Sequence, residues 1–138
     1  MENEEEAQEK MLMYRMLESR LESAAREREL VSEKFMEVVS TISALENIEK
    51  NSDNILFKMG SEVYANGKLD GNNKLLIEIG AGIVVEKSLE EGKQILTKRR
   101  EELERLSKET QNNIEQITEM LNKMAPELNE LMKKGNKG

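Results

Sequence analysis

The number and spacing of the methionines in this sequence suggest that they form a binding surface. The chain has nine methionines among 138 residues, and their flexible, polarizable thioether side chains adapt to partners of many shapes. Most of them lie in two stretches, one in each half of the sequence. They are Met11, Met13, Met16, Met120, Met124 and Met132. These stretches predict an adaptable binding surface; the alternative is that methionine fills the end of a loosely packed helix pair.

Other apolar residues around these methionines complete the candidate binding surface. The run from Met11 to Leu17 is nearly all apolar, a face too wide for the contact between two helices to cover, and exposed apolar patches usually mark interaction sites. Glutamates such as Glu5 and Glu9 would keep such a surface solvated and limit aggregation. We call the predicted set the methionine surface. It comprises Met11, Leu12, Met13, Tyr14, Met16, Leu17, Met120, Leu121, Met124, Leu128 and Leu131.

Residues that carry covalent or metal chemistry are missing or unsuitably placed. The chain has no Cys and no His, which excludes the usual zinc, iron–sulfur and thiol sites and the Ser-His-Asp arrangement. The carboxylate pair Glu101-Glu102 lies in a charged helical segment without a pocket. Gly80-Ala81-Gly82 lacks the spacing of a phosphate-binding loop, and Thr97-Lys98-Arg99-Arg100 is followed at once by acidic residues, as on an ion-paired helix face. The sequence therefore predicts no enzyme, no metal site and no cofactor.

Composition restricts the class of protein further. Charged residues make up 36% of the chain and aromatic residues 3%, with a net charge of -7, which argues against a nucleic-acid-binding protein because that function needs a basic face. The longest apolar runs are far shorter than the ~20 residues that cross a bilayer. The acidic opening MENEEEAQEK is unlike a secretory signal. With the lack of disulfides, these features predict a single cytoplasmic domain over residues 1–138 without a membrane partner.

Apolar residues from Tyr14 onward follow heptad spacing. Their steps alternate three and four residues if Arg28 takes the one polar place, which is typical of a coiled coil. A helix from about residue 7 to 50 would be ~65 Å long at 1.5 Å per residue, so it needs a partner helix along its length. The apolar positions are Tyr14, Leu17, Leu21, Ala24, Val31, Phe35, Val38, Ile42 and Leu45.

A second helix is predicted over residues 88–133. Ser88 and Glu91 form the capping-box pattern at its start, and one eleven-residue unit around Thr110 interrupts its heptads, which should locally relax the left-handed supercoil. Pro126 should kink or fray the last turns, and residues 134–138 are predicted to be a disordered tail. The apolar positions are Leu89, Leu96, Leu103, Leu106, Ile114, Ile117, Leu121, Met124, Leu128 and Leu131.

The two helices are expected to pack antiparallel, because the segment between them reverses the chain. Residues whose numbers add to 138 then face each other, so Leu17 meets Leu121. The same register sets Arg28 opposite Thr110, the single polar position of each helix. This pair either forms a polar layer that fixes the register, or Arg28 extends outward to solvent.

Residues 55–87 hold most of the glycines and β-branched runs. Alternation of apolar and polar residues between turn signals predicts strands with one buried face, although a tight type I′ turn at Asn66-Gly67 would move one boundary. The four strands, in two hairpins, are predicted at 55–59, 62–68, 74–79 and 82–87.

Two hairpins with open edges are unstable alone. We therefore expect them to form an assembly module that completes its sheet with other chains. We call the apolar residues predicted for this role the hairpin surface. They are Leu56, Phe57, Val63, Tyr64, Leu75, Ile77, Ile79, Ile83 and Val85.

The order helix, two hairpins, helix resembles the α-class subunit of prefoldin, a chaperone of archaea and eukaryotes. The resemblance extends over essentially the whole chain and is carried by Lys58-Met59-Gly60, where the family prefers a Pro-Leu-Gly-like turn, and by the run Leu76–Ser88. The implied fold class is α+β, mainly α: a long antiparallel two-helix coiled coil with two β-hairpins at the end that connects the helices.

The resemblance also implies a function and partners. Two α-class chains, this one and a second copy, would pair through their hairpins and join four β-class chains. Six coiled coils would then extend from the assembly, and their ends, here the methionine surface, would hold non-native client proteins without ATP and pass them to a group II chaperonin. The alternative within the family is an α-like chain that self-assembles into homo-oligomers or filaments without a client role.

Overall fold

The computed structural model describes residues 2–51, 53–70 and 74–136. Two long helices flank two β-hairpins in the sequence, so the predicted fold class is confirmed. The elements in chain order are α1 (Glu2–Lys50), β1 (Ile55–Gly60), β2 (Val63–Gly67), β3 (Lys74–Gly80), β4 (Ile83–Ser88) and α2 (Leu89–Asn136).

The chain forms two compact units. The central unit is Lys34–Glu104, and the terminal unit combines Met1–Glu33 with Arg105–Gly138. Each unit contains part of α1 and part of α2, and the central unit also contains both hairpins.

Both helices extend beyond their predicted ends. α1 begins at Glu2 rather than near residue 7, because the glutamates of its first turn are good helix formers and interact favourably with the positive end of the helix dipole. α2 continues past Pro126 to Asn136. The tail predicted to be disordered at residues 134–138 is therefore helical as far as residue 136, and residues 137–138 lie outside the described part of the chain.

The start of α2 is fixed by the predicted cap. The Ser88 hydroxyl accepts a hydrogen bond from the backbone N–H of Glu91 at 3.1 Å, which satisfies one of the free donors in the first turn. The Glu91 carboxylate lies 3.7 Å from Lys87 Nζ. Ser88 is therefore both the last residue of β4 and the N-cap of α2, which begins at Leu89.

The four strands lie within one residue of their predicted bounds. They form two separate two-stranded antiparallel sheets, β1 with β2 and β3 with β4. Asn66 is paired with Leu56, and Gly67 with Ile55. The alternative of a turn at Asn66-Gly67 is therefore wrong, because both residues belong to β2.

The two hairpins have the same strand pairing, offset by 20 residues in the sequence. Lys58 pairs with Tyr64 in the first, and Glu78 pairs with Val84 in the second. In each, one additional residue then forms a β-bulge before the pair that closes the hairpin. These bulged residues are Met59 and Ile79.

Two-residue turns close both hairpins. Glu62 has φ 62° in the first turn, and Ala81 and Gly82 have φ 51° and 75° in the second. Positive φ at both central residues of the second turn gives that turn a twist that matches the twist of the flanking strands. In the first turn Glu62 has positive φ and Ser61 does not.

The core of the central unit lies between α1 and α2. Val38, Ile42 and Leu45 of α1 are buried together with Leu96 of α2, and Leu75 of β3 packs against them. The second hairpin is thus attached to the helix pair through one of its faces.

In the terminal unit, the buried cluster consists of Leu17, Ile117 and Leu121. Two hydrogen bonds between α1 and α2 show how the two helices are aligned. Lys10 Nζ lies 3.4 Å from Glu127 Oε2, and Arg28 Nη1 lies 3.2 Å from Gln111 Oε1. Their residue numbers add to 137 and 139, so the predicted antiparallel register is confirmed here.

Arg28 and Thr110 do not form a shared polar layer. Arg28 is exposed and donates to Gln111, whereas Thr110 is 5% exposed and its hydroxyl donates to the carbonyl of Leu106 at 2.8 Å. Outward extension of Arg28 is therefore the correct alternative. Within the described residues, Thr110 is the one buried polar side chain.

Candidate functional site

The methionine surface in the terminal unit separates into a packed and an exposed part. Leu17, Leu121 and Leu128 are buried, because they occupy heptad positions between the two helices. Met11, Tyr14, Met124 and Leu131 are half-buried. The exposed residues are Leu12 (63%), Met13 (58%), Met16 (53%) and Met120 (49%), together with Met132 (49%) outside the predicted set.

The exposed residues of α1 lie next to one another on the helix. Met16 follows Leu12 by four residues and Met13 by three, the two spacings that place side chains on one face of a helix. Each of the three side chains is more than half exposed. They form a continuous apolar strip that the described contacts leave uncovered.

Met120 borders a groove in the same unit. The groove has a volume of about 520 Å³, and its lining includes the buried Leu17 and Ile117 and polar side chains such as Ser23 and Gln116. The lining thus combines apolar side chains with hydroxyl and amide groups, and it also includes the charged Arg20 and Glu27.

Charges beside the strip are mainly acidic. Glu5 and Glu9 are exposed on α1, whereas Lys10 lies 3.7 Å from Glu6 Oε1 and 3.4 Å from Glu127 Oε2. The carboxylates keep an apolar surface in solution. The charge of Lys10 is balanced by the two carboxylates beside it.

The hairpin surface in the central unit is also divided. Leu75, Ile77 and Val85 are half-buried, since their face of the second hairpin is turned toward the helices. The other predicted residues are more open: Leu56 (66%), Phe57 (39%), Val63 (59%), Tyr64 (58%), Ile79 (55%) and Ile83 (57%).

Three further apolar residues in the hairpins are exposed although the hairpin surface predicted from the sequence does not include them. Met59 is 69% exposed, Leu76 is 76% exposed and Val84 is 54% exposed. Alternation correctly separates Leu76 from its neighbours Leu75 and Ile77, but it does not show which face packs on the helices. Gly92 on α2 is the residue that could have identified the packed face, because its missing side chain leaves room for Leu75 and Ile77.

Two polar contacts position the second hairpin and the helices beside it. Arg99 of α2 donates to the backbone carbonyl of Glu78 at 2.7 Å. Lys93 donates to the Glu49 carboxylate of α1 at 2.8 Å, and this hydrogen bond, with the nearby carboxylates, raises the pKa of Lys93 against the opposing effect of partial burial.

A model of the family described as Prefoldin subunit matches residues 17–134. The chain belongs to the prefoldin family. Prefoldin subunit alpha of Thermofilum pendens is 36% identical over 106 residues, which cover 75% of this chain and 82% of that protein. Prefoldin subunit alpha of Pyrococcus horikoshii is 26% identical over 136 residues, 96% of this chain and 92% of that protein. This prefoldin chain is therefore of the α class, in a family of chaperones.

A solved structure of low sequence identity also confirms the prefoldin fold. Filamentous PFD from Methanocaldococcus jannaschii superposes with a TM-score of 0.66 at 15% identity, covering 82% of this chain and 95% of that one. At this identity the likeness concerns the fold. In the described part of this prefoldin chain, no helix combines the length and hydropathy needed to span a membrane.

Proposed function

We propose that this chain is a subunit of an ATP-independent holdase that binds unfolded proteins through the methionine surface. The observation that carries the proposal is the strip formed by Leu12, Met13 and Met16, three large apolar side chains exposed on one helix face. Such a strip has no role in packing the helix pair, and flexible thioethers suit clients without a fixed shape. The chain needs no catalytic residue and no cofactor for this activity.

The hairpins would supply the assembly in which several such surfaces act together. Two copies of this chain would join four β-class subunits through the exposed residues of the hairpin surface, such as Leu56 and Tyr64. Several weak contacts to one client then raise the overall affinity through effective concentration. In this role the protein would act in the cytoplasm and pass its clients to a group II chaperonin, without binding nucleic acid or membranes.

The test replaces the exposed methionine surface while preserving the helix contact. In the variant Leu12→Ser, Met13→Ser, Met16→Ser and Met120→Ser, assembly with β-class subunits should be retained and suppression of client aggregation should fall several-fold. Light scattering of a guanidinium-denatured client diluted into the complex measures this.

A matched control removes exposed apolar residues elsewhere on α1. Leu30 is 66% exposed and Met36 is 63% exposed, so Leu30→Ser with Met36→Ser lowers exposed hydrophobicity without touching the methionine surface. We expect this control to suppress aggregation like the unmodified chain. Equal losses in both variants, or no loss in either, would contradict the proposed binding site.

Self-assembly without a client role is the alternative function. The relatives named as subunit alpha favour a subunit of a mixed complex. Native mass spectrometry of this chain, alone and with a β-class chain, should give a defined mixed hexamer. Extended homo-oligomers that persist in the presence of the β-class chain would favour the alternative.

A further inference from the structure

All sulfur atoms of this chain are thioethers, because the sequence has nine methionines and no cysteine. Where thiolates are present they react readily with peroxides. In a chain without them, methionine is the side chain that a peroxide oxidises, and the product, methionine sulfoxide, is polar. The positions of the thioethers therefore decide which property of the molecule an oxidant changes.

Four methionines of the terminal unit are open to solvent. Met13 and Met16 on α1 are 58% and 53% exposed, and Met120 and Met132 on α2 are each 49% exposed. Met16 follows Met13 by three residues, so the two side chains lie on one face of α1. A small hydroperoxide can reach all four of these side chains without any opening of the helix pair.

The methionines that pack between the helices are less accessible. Met11 and Met124 are half-buried, and Met124 packs against the buried cluster of Leu17, Ile117 and Leu121. The cluster itself consists of side chains that contain no sulfur. Oxidation of the exposed methionines therefore leaves the contact between the two helices in place.

We propose that Met13, Met16 and Met120 are reversible oxidation sites, whose conversion to methionine sulfoxide by hydroperoxides stops client binding without unfolding the chain. The inference rests on the proposed holdase function and adds a regulation of its binding site. These three residues and Leu12 are the exposed members of the methionine surface. A sulfoxide oxygen keeps its hydrogen bonds only in water, so an oxidised side chain loses the favourable transfer to an apolar client.

The reaction is an oxygen transfer to the thioether sulfur. A lone pair of the sulfur attacks the terminal oxygen of the hydroperoxide, an S–O bond forms as the O–O bond breaks, and the remaining oxygen leaves with a proton as water or an alcohol. Sulfur loses two electrons and the peroxide gains them. Methionine sulfoxide reductases, one for each sulfoxide epimer, reverse the step. They take two electrons from a dithiol, which becomes a disulfide, and release the oxygen as water.

Peptide mass spectrometry of the full chain tests the selectivity of oxidation. In dilute hydrogen peroxide the three proposed sites should be oxidised several-fold faster than Met11 and Met124, and the difference should vanish in guanidinium, where burial is lost. Circular dichroism should show unchanged helix content once the exposed sites are oxidised. Equal rates in the folded chain, or a loss of helix, would overturn the proposal.

The effect on client binding is measured in a parent chain that lacks two exposed methionines of the central unit. Met36 is 63% exposed and Met59 is 69% exposed, so Met36→Leu with Met59→Leu confines the exposed oxidation sites to the terminal unit. The parent chain is oxidised, freed of peroxide and combined with untreated β-class subunits. Light scattering of the denatured client should then show several-fold weaker suppression of aggregation, and treatment with both sulfoxide reductases should restore it.

A matched variant removes the proposed sites from the parent chain without removing the apolar surface. Met13→Leu, Met16→Leu and Met120→Leu together should suppress aggregation as well as the parent chain does, and peroxide should not weaken this suppression. Met132 remains oxidisable in both chains. A loss of suppression that persists in the variant would therefore place the effect outside the three proposed sites and contradict the proposal.

The remaining outcomes separate this inference from the holdase function on which it rests. An oxidised parent complex that suppresses aggregation as before would overturn the oxidation proposal and leave the holdase function standing. Failure of the untreated complex to suppress aggregation would contradict the holdase function itself, and the regulation with it. Native mass spectrometry of each complex checks assembly, because a loss of suppression that follows from lost assembly would also overturn the proposal.

Discussion

Gly92 of α2 lies so close to Leu75 of β3 that a Cβ atom at position 92 would be 2.7 Å from Leu75 Cδ1. The same atom would be 3.2 Å from Ile77 Cδ1. Glycine inside a helix lowers its stability by roughly 1 kcal/mol relative to alanine. Here it lets the second hairpin reach the helix pair, so the position of that hairpin depends on the absence of a side chain.

Gly92→Leu should release the second hairpin from α2. The added side chain has no space beside Leu75 and Ile77, and overpacking of this kind costs about 1–3 kcal/mol. Thermal unfolding should therefore occur at lower temperature, and the β3 amides should exchange faster with deuterium. The control Gln94→Leu adds the same side chain at an exposed position of α2. A variant at position 92 as stable as this control would show that the close contact is unimportant.

Ser88→Ala should destabilise the start of α2. It removes the hydroxyl that accepts the Glu91 N–H at 3.1 Å, and loss of an N-cap costs about 1 kcal/mol. Urea unfolding followed by circular dichroism should give a lower midpoint with an unchanged slope. Ser107→Ala, at an exposed site inside α2, should be neutral or slightly stabilising. Equal effects at the two positions would argue against the cap.

Local patterns in the sequence predicted the helices and strands well. Heptad spacing gave the helices and their register, which the contacts of Lys10 with Glu127 and of Arg28 with Gln111 confirm in the terminal unit. Turn residues gave the hairpins, because Gly60 and Gly80 mark the bends where the chain reverses. These signals are local or periodic, so one sequence is enough to recognise them.

Side-chain exposure was predicted less well. Leu75 and Leu76 are adjacent leucines that differ in exposure. Gly92 leaves space for the face of β3 that carries Leu75 to pack against the helices, whereas Leu76 lies on the opposite, exposed face. Heptad spacing does separate Leu17, which is buried, from Met16, which is 53% exposed, because only Leu17 is a heptad position. Which of two adjacent apolar residues is exposed depends on contacts with distant segments, and composition does not encode these contacts.

Thr110→Val should raise the stability of the terminal unit slightly. The Thr110 hydroxyl is satisfied by the Leu106 carbonyl of its own helix, so replacing it with a methyl group leaves no partner unpaired and adds apolar contact. We expect a gain within about 1 kcal/mol. Thr118→Val, which removes a similar hydroxyl bonded to Ile114 at an exposed position, is the control. A mixture of helix registers, detected by broadened NMR signals, would instead mean that the buried hydroxyl specifies alignment.

Lys93 should contribute stability to the central unit that disappears at alkaline pH. Its hydrogen bond to Glu49 raises its pKa above the ordinary value of 10.5, so the folded chain binds this proton more tightly than the unfolded chain does. The contribution is complete below pH 10.5 and is lost as the pH rises through the higher folded-state pKa. The difference in melting temperature between the unmodified chain and Lys93→Gln should therefore be largest near neutral pH and shrink above pH 10.5. Lys98→Gln, an exposed position on the same helix, should show no such trend. A difference at Lys93 that stays constant to pH 11.5 would mean that the lysine acts through its aliphatic packing rather than through its charge.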